Sequence, residues 1–148
     1  MAHEAAMTRA DVEAFIRRHA EAGARYDTAA LAADHTPNGI VESPMFATLQ
    51  GRAAIEDSYK ALFTAFPDWK VTLNTVIIDG LNVAVWNTIN ATHMNEFFGL
   101  PGTQRRVEFQ AVSFTTLENG LIARERRIYD FTGFLVQVGV LRAKPAKP

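Results

Sequence analysis

The sequence predicts an α+β fold, in which helices cover one face of a curved antiparallel sheet. Apolar residues recur at helical spacing only in the first half of the chain and at its end. Four long strand-like runs follow one another in between, and turn signals such as Asp79-Gly80 and Asn119-Gly120 join neighbouring runs as hairpins. Strands joined directly to strands form antiparallel sheets, so the helices must pack on one face of the sheet.

Capping residues, apolar spacing and breakers predict four helices. Thr8 and Asp11 match a capping box before the first of them. Asp27 is a candidate N-cap of the second, and Pro67 ends the third. The predicted helices are Arg9–Ala24, Tyr26–Ala33, the stretch from Gly51 to Pro67, and Phe131–Leu141. The end segments 1–7 and 143–148 are expected to be disordered.

Alternating apolar residues predict the strands. They are a short strand Ile40–Glu42, followed by Lys70–Ile78, Val83–His93, Arg105–Leu117 and Leu121–Asp130. The length of Val83–His93 indicates strong bending. A bent sheet backed by helices forms a cone with an open mouth, so the whole chain, 1–148, is expected to be one domain with an internal pocket.

Composition excludes several classes of function. The chain has 148 residues and a net charge of −1, so no bulk field attracts nucleic acid or an anionic membrane. It contains no cysteine, which excludes disulfides and thiolate sites and fits a cytoplasmic protein. No apolar run reaches the ~18 residues needed to span a membrane. The histidines lack metal-ligand spacing, so no metal is expected.

The hairpin at Asn119-Gly120 predicts a register. If Glu118 pairs with Leu121, Phe109 lies opposite Asp130, and Arg126 shares the face of Asp130. Arg126 would then keep Asp130 ionised and favour its use as a base. A bulge in either strand would shift this pairing by one residue.

Asp130 is the leading catalytic candidate. It lies between the strand-like run Ile122–Tyr129 and the apolar, helix-like run Phe131–Val140. A carboxyl group buried among apolar groups disfavours its charged form and can shuttle a proton near neutral pH. The same position also suits the N-cap of the last helix, and the sequence leaves both interpretations open.

Other candidates surround the expected pocket. His93 could bind a substrate oxygen or move a proton, or could be an exposed histidine at a strand end. Asn87 is a second candidate for stabilising an oxyanion. Glu42 is either a second acid/base group or a surface carboxylate. Three aromatic residues fit the core or rim of the pocket, where they could stack on a flat ligand: Phe63, Trp69 and Phe109.

Four segments, in this order, resemble motifs of the SnoaL-like polyketide (ester) cyclases. They are Ala65-Phe-Pro-Asp68, Thr92-His-Met-Asn-Glu-Phe-Phe-Gly-Leu-Pro-Gly-Thr-Gln-Arg-Arg-Val107, Glu118-Asn-Gly-Leu-Ile-Ala-Arg-Glu125 and Tyr129-Asp-Phe-Thr-Gly-Phe-Leu-Val-Gln-Val-Gly139. The second segment departs from the family pattern at Asn95, Gly102 and Gln104, where glycine, proline and glycine are usual. Those three positions fall in a loop expected to rim the pocket.

The resemblance implies a fold like that of nuclear transport factor 2 (NTF2-like, also called cystatin-like), a cone of helices around a bent sheet. It implies homodimers that pack through their sheets, and neither a metal nor an organic cofactor. It assigns to Asp130 the acid/base role in an intramolecular aldol ring closure, assisted by His93. The expected function is therefore cofactor-independent cyclisation of a hydrophobic, carbonyl-bearing small molecule.

Two alternatives stay open beside cyclisation. One is isomerisation or epoxide hydrolysis on the same scaffold, and hydrolysis would need a second carboxylate such as Glu42. The other is a non-catalytic domain that binds a small ligand or dimerises.

Overall fold

The computed structural model describes residues 6–142 and residue 144, and it confirms the α+β class. The elements, numbered in chain order, are α1 (Arg9–Ala24), α2 (Thr28–Ala33), β1 (His35–Ser43), β2 (Ala47–Gln50), α3 (Arg52–Ala65), β3 (Lys70–Asp79), β4 (Asn82–Thr92), β5 (Arg106–Glu118), β6 (Leu121–Tyr129) and α4 (Phe131–Gln137). The disorder expected for 1–7 and 143–148 falls largely outside the described residues.

Six strands form one sheet in the order β2-β1-β6-β5-β4-β3. All neighbouring pairs are antiparallel except β1 and β6, which run parallel. The four long strands β3 to β6 are antiparallel as expected, and the parallel pairing of β1 with β6, which was not expected, makes the sheet mixed. Strand β1 is also longer than predicted: it begins at His35 and pairs with β6 on both sides of a register shift between His35 and Ile40.

Helix ends and hairpin turns follow the local sequence. Thr8 and Asp11 form the predicted capping box at the start of α1. Asn119 and Gly120 both have positive φ angles, 51° and 74°, as a type I′ turn requires. Within the described residues, no helix is both long and apolar enough to cross a membrane.

A bulge in β6 corrects the predicted register. Glu118 does pair with Leu121, but the register shifts next to Ala123, after which Ser113 pairs with Arg127 and Phe114 with Arg126. One extra residue in a strand turns every later side chain to the opposite face. The predicted pairing of Phe109 with Asp130 was therefore wrong, and Arg127 takes the inward position expected for Arg126.

Two buried clusters lie along the sheet and leave a polar gap between them. One contains Val83 and Val85 of β4, and the other contains Ile89 and Ala91 of the same strand. Between these pairs, on the same face, lies Asn87. The concave face is thus apolar at both ends and polar in the middle.

Candidate active site

The concave face of the sheet and helices α1 and α3 enclose a cavity of about 650 Å³. Its size is that of a site for a small organic molecule. Rings form much of its wall: Phe15, Tyr26, Phe46, Tyr59, Phe63, Trp69, Phe109 and Tyr129. Most of the surface offered to a ligand is therefore apolar, and the few polar side chains present can orient it.

A buried ion pair lies in the cavity wall on β6. The side chains of Glu125 and Arg127 both face inward, since they are two residues apart on one strand. Arg127 Nη2 donates to Glu125 Oε2 at 2.9 Å and to the hydroxyl oxygen of Tyr59 at 2.8 Å. Burial raises the pKa of Glu125, but the charge and hydrogen bond of Arg127 outweigh it and hold that pKa below its usual range. The pair is therefore ionised.

Tyr59 presents a hydroxyl donor to the cavity. Its oxygen accepts the hydrogen bond from Arg127, and among the described residues nothing accepts its own proton. Burial raises the pKa of Tyr59 to about 12, so the group stays protonated at neutral pH. A ligand oxygen in the cavity is a natural acceptor for this proton.

His19 faces the same cavity from α1 and is held by a carboxylate. Its Nδ1 lies 2.7 Å from Asp34 Oδ2, while Arg18 Nη2 donates to Asp34 Oδ1 at 2.9 Å. Burial raises the pKa of Asp34, but His19 and Arg18 lower it by more, so the carboxylate is ionised. An ionised partner fixes the proton on Nδ1 and leaves a lone pair on Nε2, which is the form that acts as a base.

Two further polar groups lie in or behind this wall. His35 is fully buried, donates from Nδ1 to the carbonyl of Leu31 at 2.8 Å, and has its ring centroid 6.1 Å from that of His19. Among the described residues, neither His35 Nε2 nor Asn87 Oδ1 has a partner, although both atoms are buried. Asn87 lines the cavity, so its amide is available to a ligand.

His35 makes stability depend on pH. Burial lowers its pKa below the ordinary 6.5, and the pKa of His93 is lowered by burial in the same way. Below about pH 6.5 the unfolded chain therefore binds protons that the native chain does not, and each histidine reduces stability by up to about 1.4 kcal/mol per pH unit.

We expect urea unfolding to give a constant free energy of unfolding from pH 7.5 to about 6.5 and a decreasing free energy at lower pH. Replacing His35 and His93 together with glutamine should flatten this fall, and an unchanged slope would contradict the assignment.

Four of the eight residues predicted for the site line the cavity: Phe63, Trp69, Asn87 and Phe109. The predicted pocket position of Arg126 was wrong, and of the two interpretations of Glu42 the geometry matches the surface carboxylate. Glu42 Oε2 accepts from Arg126 Nε at 2.7 Å, and Arg124 Nη1 donates to Glu42 Oε1 at 3.0 Å. The two arginines are exposed on the outer face of the sheet, because the β6 bulge turns them there.

Asp130 caps the last helix instead of facing the cavity. Its Oδ1 accepts a hydrogen bond from the backbone N–H of Gly133 at 2.8 Å, and the side chain is exposed. A Cβ at position 133 would collide with the carboxylate, so glycine permits this close cap. Of the two interpretations that the sequence left open, the geometry matches the N-cap.

His93 lies in the core beside the cavity, not at its rim. The ring is 1% exposed, stacks on Phe66 with centroids 5.2 Å apart, and has Nδ1 3.1 Å from Thr103 Oγ1. Its neighbour Met94 donates its backbone N–H to the carbonyl of Ala65. The histidine thus fixes the loop after β4 onto the end of α3, and its predicted contact with a substrate has no geometric support.

Five polar residues that the sequence prediction missed form the site. They are His19, Asp34, Tyr59, Glu125 and Arg127. The available signal was their position on apolar faces: His19 continues the buried stripe of Val12 and Phe15 on α1. A polar side chain on such a stripe must find a partner inside the protein.

A protein-family model described as SnoaL-like polyketide cyclase matches residues 13–138 of the chain. Three solved structures share its fold. AclR, a proposed hydroxylase from Streptomyces galilaeus, is 22% identical, with 91% of this chain and 100% of that one covered and a TM-score of 0.79. IdmH, a proposed polyketide cyclase from Streptomyces antibioticus, is 23% identical, with 71% and 81% covered and a TM-score of 0.60.

The third is a hypothetical protein from Catenulispora acidiphila, described as having a ketosteroid isomerase-like fold. It is 15% identical, with 76% of this chain and 82% of that one covered and a TM-score of 0.66. A comparison with curated proteins found none that matches. The expected NTF2-like cone is confirmed.

Proposed function

Because the chain belongs to the family of SnoaL-like polyketide cyclases, we propose that it catalyses acid/base chemistry on a hydrophobic, carbonyl-bearing small molecule, with His19 as the base. The observation that carries this proposal is the pairing of His19 Nδ1 with the ionised Asp34 at 2.7 Å, on the wall of a largely apolar cavity. A histidine oriented by a buried carboxylate can accept a proton and return it.

The reaction that this arrangement fits is an intramolecular aldol closure. His19 Nε2 removes a proton from the carbon next to a carbonyl group, and the electron pair moves onto the carbonyl oxygen. The carbon of that enolate then attacks a second carbonyl carbon of the same molecule and forms a carbon–carbon bond. The new alkoxide takes the proton back from His19. Only protons move between enzyme and substrate, so the proposed reaction needs no organic cofactor.

Hydrogen-bond donors in the cavity wall can stabilise the negative charge that develops on the substrate oxygen. Tyr59 offers its hydroxyl proton, and the hydrogen bond from Arg127 strengthens that donor. Preorganised donors of this kind act strongly where water is excluded. Asn87 can orient a second oxygen of the substrate from β4.

Isomerisation begins with the same proton removal and would use the same residues. Epoxide hydrolysis is less well supported, because it was expected to use Glu42, which lies on the surface between Arg124 and Arg126.

The oxyanion role of Tyr59 gives a direct test of this function. Acetylnaphthalene in deuterated water serves as the probe, and NMR measures deuterium entry into its methyl group. We expect the wild-type protein to accelerate exchange and Tyr59→Phe to slow that exchange about 10²–10³-fold, since one oxyanion donor is lost. No acceleration by the folded wild-type protein would favour the non-catalytic, ligand-binding alternative.

We further propose that two copies pack through the outer face of the sheet. Large apolar side chains on that face are exposed: Ile77 by 62%, Trp86 by 42%, Phe114 by 50% and Ile128 by 53%. A continuous apolar patch on a sheet is typical of an interface.

Sedimentation should give a dimer for the wild type and a monomer for Phe114→Lys. The control is Val140→Lys, which changes an exposed apolar residue after α4, outside the strands, and should stay dimeric. A monomeric wild type would contradict the proposal.

A further inference from the structure

The concave face of the edge strand β3 is only partly covered by α1. Val71, Leu73 and Val76 are 48%, 42% and 38% exposed. Their register partners on β4 are Ile89, Asn87 and Val85, all of which line the cavity, so the three β3 side chains point to the same concave side. Apolar side chains on the inner face of a sheet are ordinarily buried, and here they border open space.

A bulge in β3 widens this uncovered surface. The register shifts between Leu73 and Thr75, which leaves Asn74 as the extra residue, and its Nδ2 donates to Thr88 Oγ1 at 2.7 Å. Because of the extra residue, Leu73 and Val76 both point inward although they are three residues apart. The strand therefore presents two apolar side chains in succession to α1.

A slot between α1 and β3 is bridged by a hydrogen bond at each of its two ends. At one end the Tyr26 hydroxyl donates to the carbonyl of Trp69 at 2.9 Å. At the other end Arg9 Nη1 donates to the carbonyl of Ile78 at 3.4 Å. Along the slot itself, among residues 6–142, no hydrogen bond joins α1 to β3. This slot is bordered by Ile16, Ala20 and Ala24 of α1 and by Leu73 of β3.

The slot lies between the cavity and the surface. An outer groove of about 460 Å³ lies against the same two elements and is lined by Glu13, Ile16, Arg17, Ala20, Glu21, Ala24, Leu73 and Val76. The four residues that border the slot line this groove and the inner cavity alike. The groove therefore lies directly beside the cavity, and the two share apolar lining residues.

We propose that the slot is a subsite for an unbranched apolar chain carried by the substrate. This inference rests on the proposed function, in which the oxygenated part of the molecule lies near His19 and Tyr59. The occupant is a chain of the substrate because the groove shares four apolar lining residues with the cavity that holds its reactive end. The rim of the groove has both negative and positive side chains, namely Glu13, Glu21 and Arg17. It therefore does not favour a charged group of either sign at the far end of the chain.

Methyl ketones of increasing length, from methyl propyl to methyl nonyl ketone, test the subsite by calorimetric titration. Each methylene group that leaves water for an apolar site should strengthen binding about fourfold. For the wild type we expect this rise to continue to the longest ketone. For Ala20→Phe, which places a ring in the slot, we expect it to stop at an intermediate length, with the longest ketone bound at least tenfold more weakly than by the wild type.

Two variants complete the design. Ala14→Phe makes the same change on an exposed face of α1 outside the groove and should keep the wild-type rise. Leu73→Gln changes a half-exposed residue of β3 and should reduce the increase of affinity with ketone length, even if Ala20→Phe does not fold. A wild-type rise that ends at short ketones, or equal rises in the wild type and Leu73→Gln, would overturn the proposal.

The outcome is separable from that of the proposed function. If the protein did not accelerate proton exchange but its affinity still rose with ketone length, the proposed chemistry would be refuted and the subsite would stand. A change in self-association of Ala20→Phe, with an unchanged rise, would assign the groove to a second copy of the chain and overturn the subsite.

Discussion

Replacing Arg127 with methionine is expected to lower the free energy of unfolding by about 3–5 kcal/mol, because it leaves the buried carboxylate of Glu125 without its partner. Glu125 is 7% exposed and accepts its ion-pair hydrogen bond from Arg127 at 2.9 Å. The pKa of Glu125, now held low by Arg127, should rise once that charge is gone. Urea unfolding at neutral pH measures the loss.

The neighbouring arginine provides a matched control for this experiment. Arg126→Met removes the same charge from the exposed pair with Glu42, and we expect stability to be nearly unchanged. The double variant Glu125→Leu/Arg127→Met removes both buried charges and should recover most of the loss. Equal stability of Arg127→Met and Arg126→Met would show that the inward arginine is wrongly identified.

Replacing His19 with glutamine is expected to slow deuterium exchange into acetylnaphthalene about 10²–10⁴-fold, the usual contribution of a positioned general base. Glutamine keeps a donor toward Asp34 but offers no group that accepts a proton near neutral pH. Asp34→Asn should also slow exchange while leaving His19 in place, since the amide no longer fixes the proton on Nδ1. Calorimetric titration with the same ketone checks that both variants still bind it.

Local signals predicted most of the fold. The capping box at Thr8 and Asp11 began α1 at the right residue, and Asn119-Gly120 made the expected turn. The parallel pairing of β1 with β6 was missed because it joins segments far apart in the chain. No local sequence pattern near His35 predicts the pairing of β1 with β6.

The site was harder to predict, because it depends on one extra residue in β6. Three arginines, at positions 124, 126 and 127, are chemically equivalent in the sequence, so composition alone could not tell which of them points inward. The register shift at Ala123 determines which arginine points inward, and an alanine in the sequence does not indicate a bulge. The sequence left the role of Asp130 open for a related reason: the direction of its side chain depends on whether Gly133 leaves room for a cap.

His19 also shows what apolar periodicity conceals. It lies on the apolar stripe of Val12 and Phe15, a pattern that predicts a helix face and does not distinguish a core residue from a catalytic one. Its partner Asp34 lies at the C-terminal end of another helix, α2, so the pair exists only in the folded chain. Pairing between separate elements is a tertiary contact, and sequence spacing does not encode it.

A side-by-side measurement of proton exchange in His19→Gln and Asp130→Asn separates the two possible bases. Asparagine is as good an N-cap as aspartate, so Asp130→Asn should keep both the helix and the fold. With His19 as the base, NMR should show wild-type exchange of acetylnaphthalene in Asp130→Asn and loss of exchange in His19→Gln. Wild-type exchange in His19→Gln together with loss in Asp130→Asn would contradict the proposed site.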